Sequence, residues 1–211
     1  MENVKNVITE NKIIAVIRGV YGEKLYGLLN ALSLGGIKVA EITFGDKSDL
    51  ETRDVIAETV QKFGDRMLIG AGTVTTQDRA YYALQAGAKF TVAPDCDCEI
   101  IEFIKQRGCF CISGAFTPTE VKRAFVCGAD MVKIFPSDLA GEKYFSDLKG
   151  PFPGFPLVAF GGITRKNIRS FLSAGAVGAG VGGDLIRKDL IAAGDFAKIE
   201  EIAKEFSSIV K

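Results

Sequence analysis

Gly128-Ala129-Asp130-Met131-Val132-Lys133-Ile134-Phe135 joins a helix stop to a strand and sets a lysine in the middle of that strand. Glycine at the position after a helix takes the left-handed conformation without a steric penalty, so Gly128 ends whatever precedes it. The run Met131–Phe135 that follows reads as a strand buried on both faces, which should be almost continuously apolar. Lys133 breaks that rule. By the two-residue period it shares a face with Met131 and Phe135.

The same punctuation recurs along the chain. Gly35-Gly36, Gly87-Ala88 and Gly175-Ala176 also close a helix just before an apolar run. Strands are expected near Ile13–Arg18, Val39–Phe44, Met67–Ala71, Phe90–Ala93, Cys109–Ile112, Met131–Phe135, Leu157–Phe160 and Val177–Val181. Amphipathic segments such as Leu50–Phe63, Gln77–Gln85 and Thr119–Val126 lie between them. Thr117-Pro118-Thr119-Glu120 is a legible helix start, with an N-cap threonine, proline at the first helical position and a glutamate placed to complete a capping box. Strands alternating with helices imply a parallel sheet, and eight such units imply a closed barrel. An open doubly wound sheet is the alternative, weakened because no G-x-G-x-x-G follows the first strand. The expectation is an α/β fold, a (β/α)8 TIM barrel in one domain over residues 1–211, with an additional helix before Ile13 and a last one at Phe196–Ile209.

Composition narrows the function. Lys+Arg and Asp+Glu balance at 26 each with no block of like charge, so nothing points to a nucleic-acid or anionic-membrane partner. The longest apolar runs are too short to cross a bilayer and the N-terminus lacks a signal-peptide core, which predicts a cytoplasmic protein. The five cysteines, Cys96, Cys98, Cys109, Cys111 and Cys127, lack zinc-site spacing and are expected as reduced thiols. Histidine is absent. No Ser-His or Cys-His nucleophile and no histidine-based metal site is available, so acid–base chemistry must run on carboxylates, lysines, hydroxyls or water.

Lys133 is the first candidate. Burial should lower its pKa and yield the neutral amine that attacks a carbonyl, unless it snorkels out of the strand or pairs with a buried carboxylate. Glu41, in Val39-Ala40-Glu41-Ile42-Thr43-Phe44, is the second charge inside a strand. It reads either as a proton shuttle for imine chemistry or as the counter-ion of Lys133. Arg18 ends the first strand at the face where barrel active sites form, suited to a substrate carboxylate or to a surface ion pair. Thr73, after Gly70-Ala71-Gly72, could contact the same carboxylate or bond its own turn. Gly161-Gly162 and Gly182-Gly183 follow the last two strands, where glycine-rich turns leading to helix N-termini form the recurrent phosphate site of such barrels.

These segments resemble the 2-keto-3-deoxy-6-phosphogluconate (KDPG) and 4-hydroxy-2-oxoglutarate (KHG) aldolases nearly end to end. The resemblance is carried by Ala15-Val16-Ile17-Arg18, Glu41-Ile42-Thr43, Gly70-Ala71-Gly72-Thr73-Val74, Thr117-Pro118-Thr119-Glu120, Val132-Lys133-Ile134-Phe135-Pro136 and Gly161-Gly162-Ile163. It implies a class I lyase that cleaves a 2-keto-acid to pyruvate and an aldehyde. Lys133 would form the Schiff base, Glu41 would move protons and Thr73 would bind carboxylate. Arg18, Phe135, the glycine pairs 161–162 and 182–183, and Asp184 would complete the substrate site. It also implies a homotrimer that needs no metal or cofactor.

The departures are as informative. Gly45 stands where many members carry a carboxylate-binding arginine, a task left to Arg18. Ala159-Phe160-Gly161-Gly162 replaces Pro-Thr-Gly-Gly, setting an apolar ring where a hydroxyl is usual. Ser113 replaces a proline before Gly114, and Ala93-Pro94-Asp95 replaces Ser-Pro-Gly. Asp184 replaces the serine usual in members with phosphorylated substrates. It reads as a helix cap, or as a carboxylate that repels phosphate by about 4 kcal/mol at ~4 Å and an effective dielectric near 20. That predicts an unphosphorylated or differently charged substrate, unless Asp184 turns outward. The competing functions are a phosphosugar isomerase or epimerase using the same two residues without an imine, and a barrel that only binds a small acid.

Overall fold

Strands and helices alternate as the glycine stops imply. The computed structural model of the protein describes residues 2–211. Among these, eight strands form a closed parallel barrel in sequence order: β1 (Ile13–Ile17), β2 (Val39–Thr43), β3 (Leu68–Gly72), β4 (Phe90–Val92), β5 (Phe110–Ala115), β6 (Met131–Ile134), β7 (Leu157–Phe160) and β8 (Ala176–Val181), with β8 pairing back onto β1. The helices are α1 (Glu2–Asn11), α2 (Gly22–Leu34), α3 (Asp49–Phe63), α4 (Gln77–Gln85), α5 (Cys98–Gln106), α6 (Pro118–Val126), α7 (Ser137–Ala140), α8 (Glu142–Lys149), α9 (Ile168–Ser173), α10 (Lys188–Ala193) and α11 (Phe196–Val210). The barrel and its leading helix match the expectation. Strand ends move by a few residues, most at β5, which begins after Cys109 and runs on to Ala115.

Alternation along each strand divides the apolar residues into two cores. Ala40, Ile42, Val132 and Ile134 face the helices, while Ile14, Val39, Phe90, Phe110, Met131, Val158 and Phe160 fill the barrel. Ile8 of α1 is fully buried in the inner cluster, so the extra helix closes the barrel's N-terminal end. The helix stops behave as expected, with Gly36, Gly87, Gly128 and Gly175 all at positive φ. Thr117 and Glu120 form the expected capping box on α6, and Ser48 and Glu51 form another on α3.

One expectation fails. Cys98 and Cys127 form a disulfide with Cα atoms 5.3 Å apart, while Cys96, Cys109 and Cys111 are free. The bond joins the first residue of α5 to the residue after α6. Sequence spacing cannot show this, because the cysteines meet through the side-by-side packing of the outer helices and not within either close pair.

Candidate active site

Inner-facing residues near the C-terminal ends of the strands line a cavity of about 540 Å³. Lys133, Glu41, Arg18, Thr73, Phe135, the two glycine pairs and Asp184 all border it. All ten residues expected from the sequence are therefore brought together. Val16, Pro94, Phe160, Ile163, Thr164 and Gly180 complete the lining. Of these, Phe160 and Pro94 belong to segments that depart from the family pattern. The others carry no chemistry visible in isolation.

Lys133 projects inward from the middle of β6, between Gly114 of β5 and Val158 of β7 in register. It is 8% exposed, and its Nζ lies 4.7 Å from the Phe135 ring centroid and 4.6 Å from that of Phe160. Burial lowers its pKa from the ordinary lysine value. The nearby Glu41 offsets part of this, and Arg18 adds to the lowering. Phe160 can point inward because Gly180, opposite it on β8, has no Cβ to occupy the same space.

Glu41 lies in register between Val16 of β1 and Gly70 of β3 and is 2% exposed. A Cβ on Gly72 would come within 2.9 Å of its carboxyl group, so that glycine leaves the space the acid occupies. Burial raises its pKa to about 7, against the opposing pull of Lys133 and Arg18. Oε2 is buried without a hydrogen-bond partner. Among the described residues Glu41 and Lys133 form no ion pair with each other. Each nonetheless acts on the other's charge through space. The arrangement is a buried acid and a buried base, each shifted toward its neutral form.

Arg18 crosses from the end of β1 to the end of β3, where Nη2 donates to Thr73 Oγ1 at 2.8 Å. Its Nη1 reaches the Phe44 carbonyl at 3.5 Å and would lie 3.6 Å from a Cβ on Gly45. A guanidinium thus occupies the neighbourhood of residue 45 although its backbone starts on another strand. Thr73 has φ +60, a conformation costly for a β-branched residue. Arg79 of α4 holds it there, donating to the Thr73 carbonyl at 3.3 Å and the Thr75 hydroxyl at 3.2 Å while paired with Asp49.

The two departures at residues 93–95 and 113 pack against each other. Ser113 Oγ and the Gly114 amide both donate to the Asp95 carbonyl, at 3.0 and 2.9 Å. This fastens the loop that carries Pro94 into the cavity. The loop passes so close that a Cβ on Gly114 would strike the Pro94 backbone.

Asp184 does not cap a helix. Gly182 O accepts the amides of Leu185 and Ile186 in a turn, and α10 begins only at Lys188. The turn after β7 likewise precedes α9 by several residues. The Asp184 carboxylate instead accepts the Arg165 amide at 2.9 Å and the Arg165 guanidinium at 3.2 Å, and Arg165 also pairs with Glu205. Burial pushes the Asp184 pKa upward, but these hydrogen bonds outweigh it and leave a net lowering. Asp184 is therefore a carboxylate. Arg165 was not singled out from the sequence, where one arginine in a polar turn has no distinguishing mark.

A family model described as KDPG and KHG aldolase matches residues 4–202. The 2-dehydro-3-deoxy-6-phosphogalactonate aldolase of Escherichia coli K12 is 31% identical over 96% of this chain and 95% of its own length. A 2-dehydro-3-deoxy-phosphogluconate aldolase of Treponema pallidum is 32% identical over 94% and 93%. A native KDPGal structure superposes with a TM-score of 0.85 at 30% identity, covering 93% of each chain. KDPG aldolase from Legionella pneumophila, solved with pyruvate captured as a covalent carbinolamine, superposes with a TM-score of 0.86 at 26% identity over 94% and 95%.

Proposed function

Since this chain belongs to the KDPG and KHG aldolase family, we propose that its cavity performs the family's chemistry through Lys133 and Glu41. The protein is a class I, Schiff-base aldolase, a lyase that cleaves a 2-keto-3-deoxy sugar acid phosphate or 4-hydroxy-2-oxoglutarate to pyruvate and an aldehyde. The observation that carries the assignment to these two residues is their joint burial beneath one open cavity, one lowered and the other raised in pKa.

The neutral Lys133 amine attacks the substrate's C2 carbonyl to give a carbinolamine, which takes a proton from the Glu41 carboxylic acid and loses water to a protonated imine, leaving Glu41 as the carboxylate. Glu41 takes the proton of the C4 hydroxyl, directly or through a water. The C3–C4 bond breaks, its electron pair enters the enamine, and the aldehyde departs. The enamine is then protonated at C3, and water hydrolyses the imine to release pyruvate and regenerate the lysine. Arg18, held on Thr73, supplies the guanidinium for the keto-acid carboxylate in place of an arginine at residue 45. Phe135 and Phe160 keep water from the amine.

A homotrimer belongs to the same reading. It is supported by Phe116, 41% exposed after β5 and stacked on Tyr144, and by Leu139 of α7, 78% exposed, both at the active end of the barrel. Light scattering reads the stoichiometry. The expected cytoplasmic location also remains part of the proposal. No helix among the described residues is long and apolar enough to cross a membrane.

Intact-protein mass spectrometry after incubation with pyruvate and borohydride tests the central assignment. A stable pyruvyl adduct that is absent from Lys133→Ala supports it. No adduct on folded wild-type protein points instead to acid–base chemistry without an imine.

A further inference from the structure

The Cys98–Cys127 bond ties together two segments that both lead into the active site. Cys98 opens α5, and the loop just before it carries Pro94, which lines the cavity. That loop is fastened at the Asp95 carbonyl by Ser113 and Gly114, and Gly114 stands beside Lys133 in register. On the other side, Cys127 follows α6 and the chain runs from it into β6, which carries Lys133.

The two ends of α5 are held differently. Its last turn is fixed by Lys105, which pairs with Asp130 at 2.5 Å, while Asp130 also accepts the Cys111 amide at 2.8 Å. At the first turn, the disulfide and a contact from Arg123 are the only covalent or polar ties to α6 among the described residues. Opening the disulfide therefore frees the start of α5 and the Pro94 loop while the end of the helix stays attached.

The sulfurs differ as well. Arg123 Nε donates to Cys98 Sγ at 3.5 Å, and among the described residues Arg123 is in no ion pair. A guanidinium beside a sulfur favours its thiolate and makes it the better leaving group. The Asp97 carboxylate already accepts the Glu99 and Ile100 amides at the helix start, so the partner of that thiolate is Arg123 and not the helix end. Cys98 and Cys127 are both half-buried and accessible in part. Cys109 and Cys111 are buried, which pushes their thiols up to about 11 and about 12 and leaves them inert by comparison.

We propose that Cys98–Cys127 is a reversible redox site, opened by a dithiol reductant, and that its opening loosens the Pro94 loop and weakens keto-acid binding. A thiolate of the reductant attacks Cys127 Sγ, and the electron pair of the S–S bond leaves with Cys98. The second thiol of the reductant then displaces Cys127 from the mixed disulfide. Two electrons and two protons pass to the protein, which gains two thiols, and the dithiol becomes a disulfide. In the cytoplasm, where the protein is proposed to reside, disulfides are typically transient or redox-sensing. A wall residue displaced by about 1 Å is enough to weaken productive binding.

The test equilibrates the folded protein with reduced or oxidised dithiothreitol and reads the bond by alkylation and intact mass. Amide hydrogen exchange and the pyruvate KM in the synthetic direction are followed on the same samples. Reduction should open the bond without unfolding, speed exchange at Asp97–Ile101 by about tenfold or more, and raise the KM by about threefold or more. Reoxidation should reverse all three. The double variant Cys98→Ser, Cys127→Ser, which keeps Cys96, should hold the higher KM whatever the reductant. A bond that opens only on unfolding, or a reduced protein with unchanged exchange and KM, overturns the proposal and leaves a structural staple. So does a KM that still responds to reductant in the double variant. The KM readout rests on the aldolase reading, whereas bond opening and exchange do not. Failed borohydride trapping of pyruvate on the oxidised protein would thus remove that reading alone.

Discussion

Lys133 Nζ stands 4.6 Å from the centroid of the Phe160 ring, so an amine that must lose its proton faces a group that attracts cations. The attraction is about 0.5–2 kcal/mol. Burial acts in the opposite direction and is the leading cause of the lowered Lys133 pKa. Phe160 therefore serves the amine mainly by excluding water.

Replacing Phe160 with Thr, the residue the family resemblance places there, should raise the Lys133 pKa by admitting water. The reactive neutral amine then predominates only at higher pH. The acidic limb of the pH profile for pyruvate trapping should move upward, and the lost packing should cost a few kcal/mol. A limb that moved downward would show that ring attraction, and not dehydration, sets the reactivity.

Glu41 makes stability depend on pH. Its folded pKa, about 7, lies above the unfolded value near 4.5, so between these values the folded state binds more protons than the unfolded one. The contribution is fully present below about 4.5 and lost as pH rises through 7, on the order of 3 kcal/mol in all. Urea denaturation of Glu41→Gln at pH 5 and pH 8 should show a smaller decline than the wild type. Equal declines would place the titration elsewhere.

Arg18 should be the main anchor for the keto-acid carboxylate. Arg18→Ala is expected to raise the KM for pyruvate in the synthetic direction by about 10- to 100-fold, the range for losing hydrogen bonds to a charged group. Gly45→Arg alone should not improve binding. The new side chain would start 3.6 Å from the Arg18 guanidinium, on a backbone at φ +120 that side chains disfavour. An improved KM in Gly45→Arg would refute the substitution of one arginine for the other.

Thr73 sets stability against binding. Thr73→Gly relieves the positive φ, and the melting temperature should rise by a few degrees for roughly 1 kcal/mol of released strain. The same change removes the hydroxyl that steadies Arg18, so pyruvate KM should rise alongside. Thermal melts and kinetics on one preparation check both, and a lower melting temperature would show that Arg79 cannot hold the turn without the side chain.

The barrel was legible because its evidence is periodic and local. Glycine stops, alternating strands and capping boxes act over a few residues each. Lys133 and Glu41 were legible for the opposite reason, as charges that contradict their apolar strands. Other features depend on which segments the closed barrel brings side by side. Asp184, at an expected helix start, reads as a cap or as a carboxylate facing phosphate, whereas its partner Arg165 arrives from the turn after β7. The Cys98–Cys127 bond and the loop anchored by Ser113 on Asp95 also join separate units. The conformation of Thr73 is imposed by Arg79, and threonine itself gives no hint of it.

The contact between Gly72 and the Glu41 carboxyl group constrains the order in which this lineage could change. A side chain at residue 72 would press at 2.9 Å on both the Glu41 carboxyl group and the Thr43 methyl, so it requires both to give way, and displacing or shortening residue 41 disturbs the acid proposed for the reaction. Each intermediate along that route is either crowded or inactive. The two positions are thus epistatic: descendants that keep the chemistry inherit the glycine with the glutamate, and a homologue with a larger residue at 72 should have moved its acid to another strand.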